Sequence, residues 1–209
     1  MAVHSKSSQK WLQEHHRDQY VKRAQTDGYR SRASYKLIEI NQKDKIFKPG
    51  LIVVDLGAAP GGWSQVAAKL VGPEGKIVAS DILKMDPIDK VDFVLGDFTN
   101  SDVLQNILNL LDNNLVDLVI SDMAPNISGI KMVDQQRAIY LNELALEFVK
   151  NNLKQNGFFL VKSFVGADFE KFLNELKLHF KKVFKIKPDS SRSRSSEIFL
   201  LGYEFQSKA

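Results

Sequence analysis

The chain has 209 residues, no cysteine, a hydrophobic fraction of 44%, a charged fraction of 26% and a formal net charge of +4. Its length suits one α/β domain with a sizeable core, and the missing thiols exclude a disulfide framework, a thiolate metal site and cysteine nucleophilic catalysis. No apolar run approaches the roughly 20 residues of a membrane helix, and the polar stretch Met1–Lys10 lacks the apolar segment of a signal peptide. A cytoplasmic protein with no membrane partner is the expectation.

Residues 8–24 and 32–45 read as two helices. The second has Leu37, Ile38 and Ile40 on its apolar side, and Pro49-Gly50 break the chain after it. From there, short apolar runs alternate with helical stretches: LIVVD (51–55), a helix over 63–71, KIVAS (76–80), DFVLG (92–96), and a helix over 101–112. VDLVISD (116–122), a helix over 134–153, FFLVKSF (158–164) and a helix over 168–180 follow. Runs such as LIVV and LVI are continuously apolar, the pattern of strands buried on both faces of a parallel sheet covered by helices. Phe169, Phe172, Leu173, Leu176 and Phe180, spaced by three and four, form one core-facing helical stripe. KVFKIK (182–187), a Ser/Arg-rich connection (190–196) and EIFLLGYEF (197–205) then predict an antiparallel hairpin. The expected fold is a single-domain, Rossmann-like, doubly wound α/β sheet of seven strands, mostly parallel with an antiparallel C-terminal strand. Element order also allows a helix between the second and third strands. Residues 1–48 are a basic helical extension of the same domain, and 49–209 its Rossmann-like body.

Charge is unevenly spread. Residues 1–48 hold 11 Lys/Arg against 5 Asp/Glu, and residues 181–194 hold six against one. Two basic segments flanking a mildly acidic body suit a phosphate-binding surface, although a solvated lysine-rich surface gives the same count.

The turn VVDLGAAPGGWSQ (53–65) follows the first strand and opens a helix, where an open α/β sheet binds its ligand. Gly57, Gly61 and Gly62 permit a tight turn and close backbone approach, but their spacing is not the G-x-G-x-x-G of a nicotinamide site. Asp55, Asp81, Asp97 and Asp122 each fall at a strand end on this same edge. Carboxylates crowded there repel a pyrophosphate and suit a ligand carrying hydroxyls, amino groups and positive charge, as S-adenosylmethionine does. Four charges fall where charge is expensive: Lys36 within a helix, Asp122 again, Lys162 inside FFLVKSF, and Glu197 at the head of EIFLL. A lysine such as Lys162 calls for a carboxylate partner, either as a structural ion pair or as part of a reactive group. The sequence lacks a dense His/Asp/Glu cluster, so no metal is expected.

RSRASYKL (30–37), DLGAAPGGWSQ (55–65), SDMAPNISG (121–129), LVKSF (160–164) and SRSSEIFL (193–200) together resemble the FtsJ/RrmJ (RlmE) family of ribosomal RNA ribose methyltransferases. The resemblance spans nearly the whole chain. It implies an S-adenosylmethionine-dependent enzyme that methylates the 2′-hydroxyl of a uridine in 23S ribosomal RNA within the 50S subunit. It places a Lys-Asp-Lys-Glu tetrad on Lys36, Asp122, Lys162 and Glu197, with Lys162 as the base or its equivalent. It also implies cofactor contacts at Gly61, Trp63, Asp81, Asp97 and Asp122. Elementary chemistry agrees. A ribose hydroxyl is a weak acid whose proton must be removed or whose developing charge must be stabilised. A second cation and burial lower a lysine's pKa, while neighbouring carboxylates oppose that shift. Methyl transfer from sulfonium to oxygen requires no metal. RNA, not DNA, is the expected partner, met by the basic helices and the Arg192/Arg194 loop, with Tyr20, Tyr29 and Tyr35 as packing residues or base-stacking rings. A monomer is the expected state. Transfer RNA or a messenger cap as substrate, and a non-catalytic ribosome assembly factor, are the alternatives.

Overall fold

The structure is a computed structural model that describes residues 18–126, 128–192 and 195–207. Its elements are α1 (Gln19–Thr26), α2 (Ala33–Asp44), β1 (Ile52–Leu56), α3 (Gly62–Val71), β2 (Lys76–Asp81), β3 (Val91–Leu95) and α4 (Ser101–Leu110). They continue with β4 (Val116–Ser121), α5 (Lys131–Asn152), β5 (Leu153–Phe164), α6 (Phe169–His179), β6 (Phe180–Ile186) and β7 (Glu197–Phe205). Most of the helix predicted over 8–24 lies outside the described residues. No helix bridges β2 and β3, so the place that element order left open for one is a loop over 82–90. Among the described residues no helix is long and apolar enough to cross a membrane.

The strands form one seven-stranded sheet in the order β3-β2-β1-β4-β5-β7-β6. β1 to β5 pair in parallel, and β7 is antiparallel to both of its neighbours. The predicted hairpin is therefore real, but its second strand slots between β5 and β6 and leaves β6 at the edge. Lys181 and Lys185 on that edge strand pair with Glu204 and Glu170, and edge lysines discourage pairing with another chain.

Each face of the sheet has its own core, which accounts for the non-alternating apolar runs. Val54, Leu56, Val119, Phe159 and Val161 pack against α5 and α6, and the stripe Phe169, Phe172, Leu173 and Leu176 is buried there as expected. Val53, Ile77, Leu118, Ile120, Leu160, Phe199 and Leu201 alternate with them and pack against α2 and α3 through Leu37, Ile40, Trp63, Val66 and Ala67. Each such side chain contributes about 1.5–3 kcal/mol on full burial. This packing lays α2 and α3 over the face that carries Lys162, Phe199 and Glu197, which brings Lys36 of α2 within reach of them.

Candidate active site at the C-terminal strand edge

β1, β2, β4 and β5 all end at one edge, and the residues singled out by sequence gather along it. Lys162 is buried two residues before the end of β5. Its Nζ lies 3.0 Å from Asp122 Oδ1 and donates to the Asp122 backbone oxygen at 2.5 Å. An ammonium has three N–H donors; one is engaged by the Asp122 backbone oxygen, while Asp122 Oδ1 accepts no hydrogen bond and faces the ammonium as a charge alone. Glu197, which begins β7, is the cross-strand partner of Phe164. Lys36 reaches it from α2, with Nζ 2.6 Å from Oε1 and 2.7 Å from Oε2. Lys36 Nζ also sits 5.5 Å from the centre of the Phe199 ring, and Phe199 is the cross-strand partner of Lys162. The tetrad is thus two ion pairs built on adjacent strands, each member no more than a fifth exposed.

The cofactor-side residues have a different character. Asp55 is wholly buried at the end of β1. One oxygen accepts a 2.6 Å hydrogen bond from Ser64 Oγ, and the other has no partner. Burial pushes its carboxyl up to about 7; the Ser64 hydrogen bond opposes that, and the nearby Asp122 and Asp81 carboxylates add to it. Asp81 accepts the amides of Ala59 and Leu83, one on each oxygen. Asp97 is exposed and takes the amide and hydroxyl of Thr99 on a single oxygen. No lysine or arginine pairs with Asp55, Asp81 or Asp97 among the described residues.

Gly61 caps α3 at φ 105°, and no side chain caps that helix. The first amides of a helix have no intrahelical acceptor, so Gly62, Trp63 and Ser64 present N–H groups toward the edge. A Cβ on Gly61 would fall 2.6 Å from Ile88 Cδ1 and 2.8 Å from Met85 Sδ. The positive φ is what favours glycine here, and the side chains of the 82–90 loop pack close against the turn. Trp63 is 2% exposed, and its indole N–H donates to Ala33 O at 2.9 Å. The ring belongs to the core and packs 5.6 Å from Phe199. Only the Trp63 backbone faces the edge, and the side chain instead pins the start of the helix that carries Lys36.

Two contributors escape a reading of the sequence. Arg30 donates to three backbone oxygens, those of Pro60, Asp86 and Pro87, at 3.2, 2.6 and 2.7 Å, while its own amide donates to Gln65 Oε1. It straps the glycine turn to the 82–90 loop. Its acceptors are carbonyls far away in sequence, which no side-chain pattern announces. Ser191 is buried and donates to Glu197 Oε1 at 2.9 Å; within a Ser/Arg run it looks like any loop serine.

The basic segments meet. Arg32 pairs with Asp18 and donates to Ser190 O, Arg192 Nη2 lies 3.8 Å from Asp18 Oδ2, and the Ser190 amide donates to Glu39. One surface results, beside the Lys36–Glu197 pair, although Arg194 lies outside the described residues. Tyr20 and Tyr29 each pack on Tyr35, at 5.5 and 5.8 Å between ring centres. Tyr35 is buried and donates to Asp27, so it acts as a packing residue.

Comparison with known proteins bears on this arrangement. A ribosomal RNA large subunit methyltransferase E from Cellvibrio japonicus is 56% identical over 201 residues, covering 96% of this chain and 95% of its own. The protein of the same name from Chromobacterium violaceum is 57% identical over 198 residues, covering 95% and 97%. Among solved structures, a crystal structure from Plasmodium falciparum described as a ribosomal RNA methyltransferase superposes with a TM-score of 0.77 at 30% identity, covering 86% of this chain and all of that one. The FtsJ-like methyltransferase family matches residues 29–205, from just before the Arg30 strap to the end of β7, and the chain belongs to that family.

Proposed function

We propose that the protein is an S-adenosylmethionine-dependent methyltransferase acting on the ribose 2′-hydroxyl of a uridine in large-subunit ribosomal RNA. The observation that carries the chemistry is the pair of edge-buried lysines, each fixed by a carboxylate, beside a row of carboxylates that lack cations. The residues suit the cofactor. The open amides of Gly62 and Trp63 match a carboxylate, Asp81 and Asp97 retain acceptor capacity for a ribose diol and amines, and the uncompensated carboxylates of Asp81 and Asp97 favour a cation. Bound there, S-adenosylmethionine would supply an electrophilic methyl group from its sulfonium, whose S–CH3 bond would break to leave the neutral thioether S-adenosylhomocysteine.

The remaining work falls to the tetrad. Lys162, held by a hydrogen bond to the Asp122 backbone oxygen and by the charge of the Asp122 carboxylate, directs a free N–H at the acceptor hydroxyl and stabilises the charge that develops on that oxygen as its proton leaves to solvent. Asp122 sets the direction of that lysine and borders the cofactor site. Lys36 and Glu197, locked by Ser191, position the ribose. The joined basic surface of α1, α2 and residues 190–192 attracts RNA phosphates, so binding weakens steeply with salt. In this reading residues 1–48 are an RNA-contacting part of the same domain as 49–209. The protein works in the cytoplasm as a monomer, and its substrate is 23S ribosomal RNA within the 50S subunit.

The test is transfer of tritiated methyl from S-adenosylmethionine to undermethylated large subunits, wild type beside Lys162→Ala, followed by alkaline hydrolysis. Label in alkali-resistant dinucleotides that depends on Lys162 is the expected result, because a 2′-O-methyl group blocks cleavage of the adjacent phosphodiester. Transfer only to transfer RNA or capped RNA would overturn the substrate, and silence on every RNA would overturn the enzyme.

A further inference from the structure

Beyond the tetrad, three strand ends lead into one pocket. Ala124 and Pro125 come shortly after Asp122, Phe164 lies two residues after Lys162, and Ser196 immediately precedes Glu197. With Lys131 and Gln135 from the first turns of α5 they enclose about 330 Å³, within the span of small-ligand sites, about 300–1,000 Å³. The pocket lies at the β4–β5–β7 part of the edge.

The walls are built. Asp134 accepts Ser128 N at 2.8 Å, Ser128 Oγ at 2.7 Å and Gly129 N at 3.2 Å, which ties residues 128–129 to α5. Gln135 donates from Nε2 to the Val165 backbone oxygen at 3.3 Å. That bond orients the amide so that Oε1, an acceptor, accepts from no donor among the described residues. Gly166 makes the placement possible, since a Cβ there would lie 2.5 Å from both Gln135 Cδ and Nε2 and 2.7 Å from Oε1. Phe164 and Pro125 offer flat apolar surface. Lys131 brings an exposed cationic donor to the same wall.

We infer that this pocket seats the uracil base of the acceptor nucleotide, with Gln135 Oε1 accepting the N3–H, Lys131 donating to a flanking carbonyl, and Phe164 and Pro125 against the ring. The inference rests on the proposed ribose methylation and adds the residues that read the base. Sequence-selective RNA readers take unstacked bases in this way, by stacking and by hydrogen bonds to the Watson–Crick edge. Cytosine has no N3–H to offer Gln135, and adenine has no ring carbonyl to offer Lys131. Guanine presents an N–H beside a carbonyl, but on a larger ring.

The experiment uses large subunits carrying U, C, A or G at the mapped acceptor position, with wild type, Gln135→Leu and Gly166→Ala. Wild type is expected to favour U over C by about tenfold or more, the factor of one well-made hydrogen bond. Both variants should lose about tenfold on U and bring the U to C ratio near one, with cofactor affinity unchanged. Gly166→Ala reaches the same result by displacing Gln135 alone, which guards against misreading a folding defect. Variants that keep the wild-type rate on U and the wild-type ratio would overturn the assignment. If wild type were silent on every RNA, the methylation reading would fail, and the pocket would still be judged by nuclear magnetic resonance. A shift of the Gln135 side-chain amide with uridine monophosphate and not with cytidine monophosphate supports it, and equal or absent shifts overturn it.

Discussion

The two halves of the site edge treat charge in opposite ways. On the glycine-turn side, Asp55, Asp81 and Asp97 are held by a hydroxyl or by backbone amides, and Asp81 and Asp97 keep this half negative. On the β5–β7 side, Asp122 and Glu197 each carry a lysine within 3.0 Å, and the charge is spent on aiming two ammonium groups. The contrast separates two tasks. An uncompensated carboxylate row attracts a cationic ligand, whereas a compensated pair holds a donor rigidly at the place where an oxygen gains charge.

The sharpest way to break the comparison is to remove one aimed donor. Lys162→Ala is expected to lower methyl transfer by about 10³-fold, within the range for a positioned acid–base or charge-stabilising group, with cofactor affinity measured by calorimetry unchanged. Equal losses in both would show that the halves are not separate. Asp122→Ala strands the buried Lys162 and is expected to destabilise the fold by about 3 kcal/mol in chemical denaturation, as for a broken buried pair. Its activity should fall as well.

The cofactor half makes a prediction in pH. The native Asp55 carboxyl titrates at about 7, against an ordinary value near 4, so the folded state binds that proton more tightly than the unfolded chain. Its contribution is fully present below about pH 4 and is lost as pH rises through 7. Asp55→Asn should therefore gain stability over wild type as pH rises from 4 to 8, by about 4 kcal/mol at most. Thermal melts at both pH values would show it, and a constant difference would refute the buried, uncompensated acid. The smallest expected effect comes from Arg30→Ala. Loss of three carbonyl contacts should loosen the 82–90 loop and raise the cofactor Kd about tenfold, the size of one or two hydrogen bonds, while the maximal rate stays nearly constant.

What the sequence disclosed came from local chemistry. Continuous apolar runs announced a sheet covered on both faces, and Phe169, Phe172, Leu173 and Leu176 announced a buried helical face; both were found. Charges in apolar runs pointed to Lys162 and Asp122, which meet as an ion pair. Trp63 stands in the motif that marks the cofactor turn, and the fold sets its indole in the core with its N–H on the Ala33 carbonyl. Side-chain identity does not reveal which way a residue at a helix start turns. The Arg30 strap and the seat of Gln135 depend on backbone oxygens brought close by the fold, and spacing carries no trace of them. The position of β7 between β5 and β6 was equally hidden, because the hairpin pattern fixes a pairing but not a place in the sheet.

That place in the sheet bears on how the protein is made. Lys36 and Glu197 are 161 positions apart, and β7 reaches its slot only after every element it pairs with has been synthesised. Contacts of such long separation form late and slowly. A nascent chain can complete the glycine turn and its carboxylates well before it owns the second lysine–carboxylate pair, so competence to act on RNA coincides with the closing of the sheet.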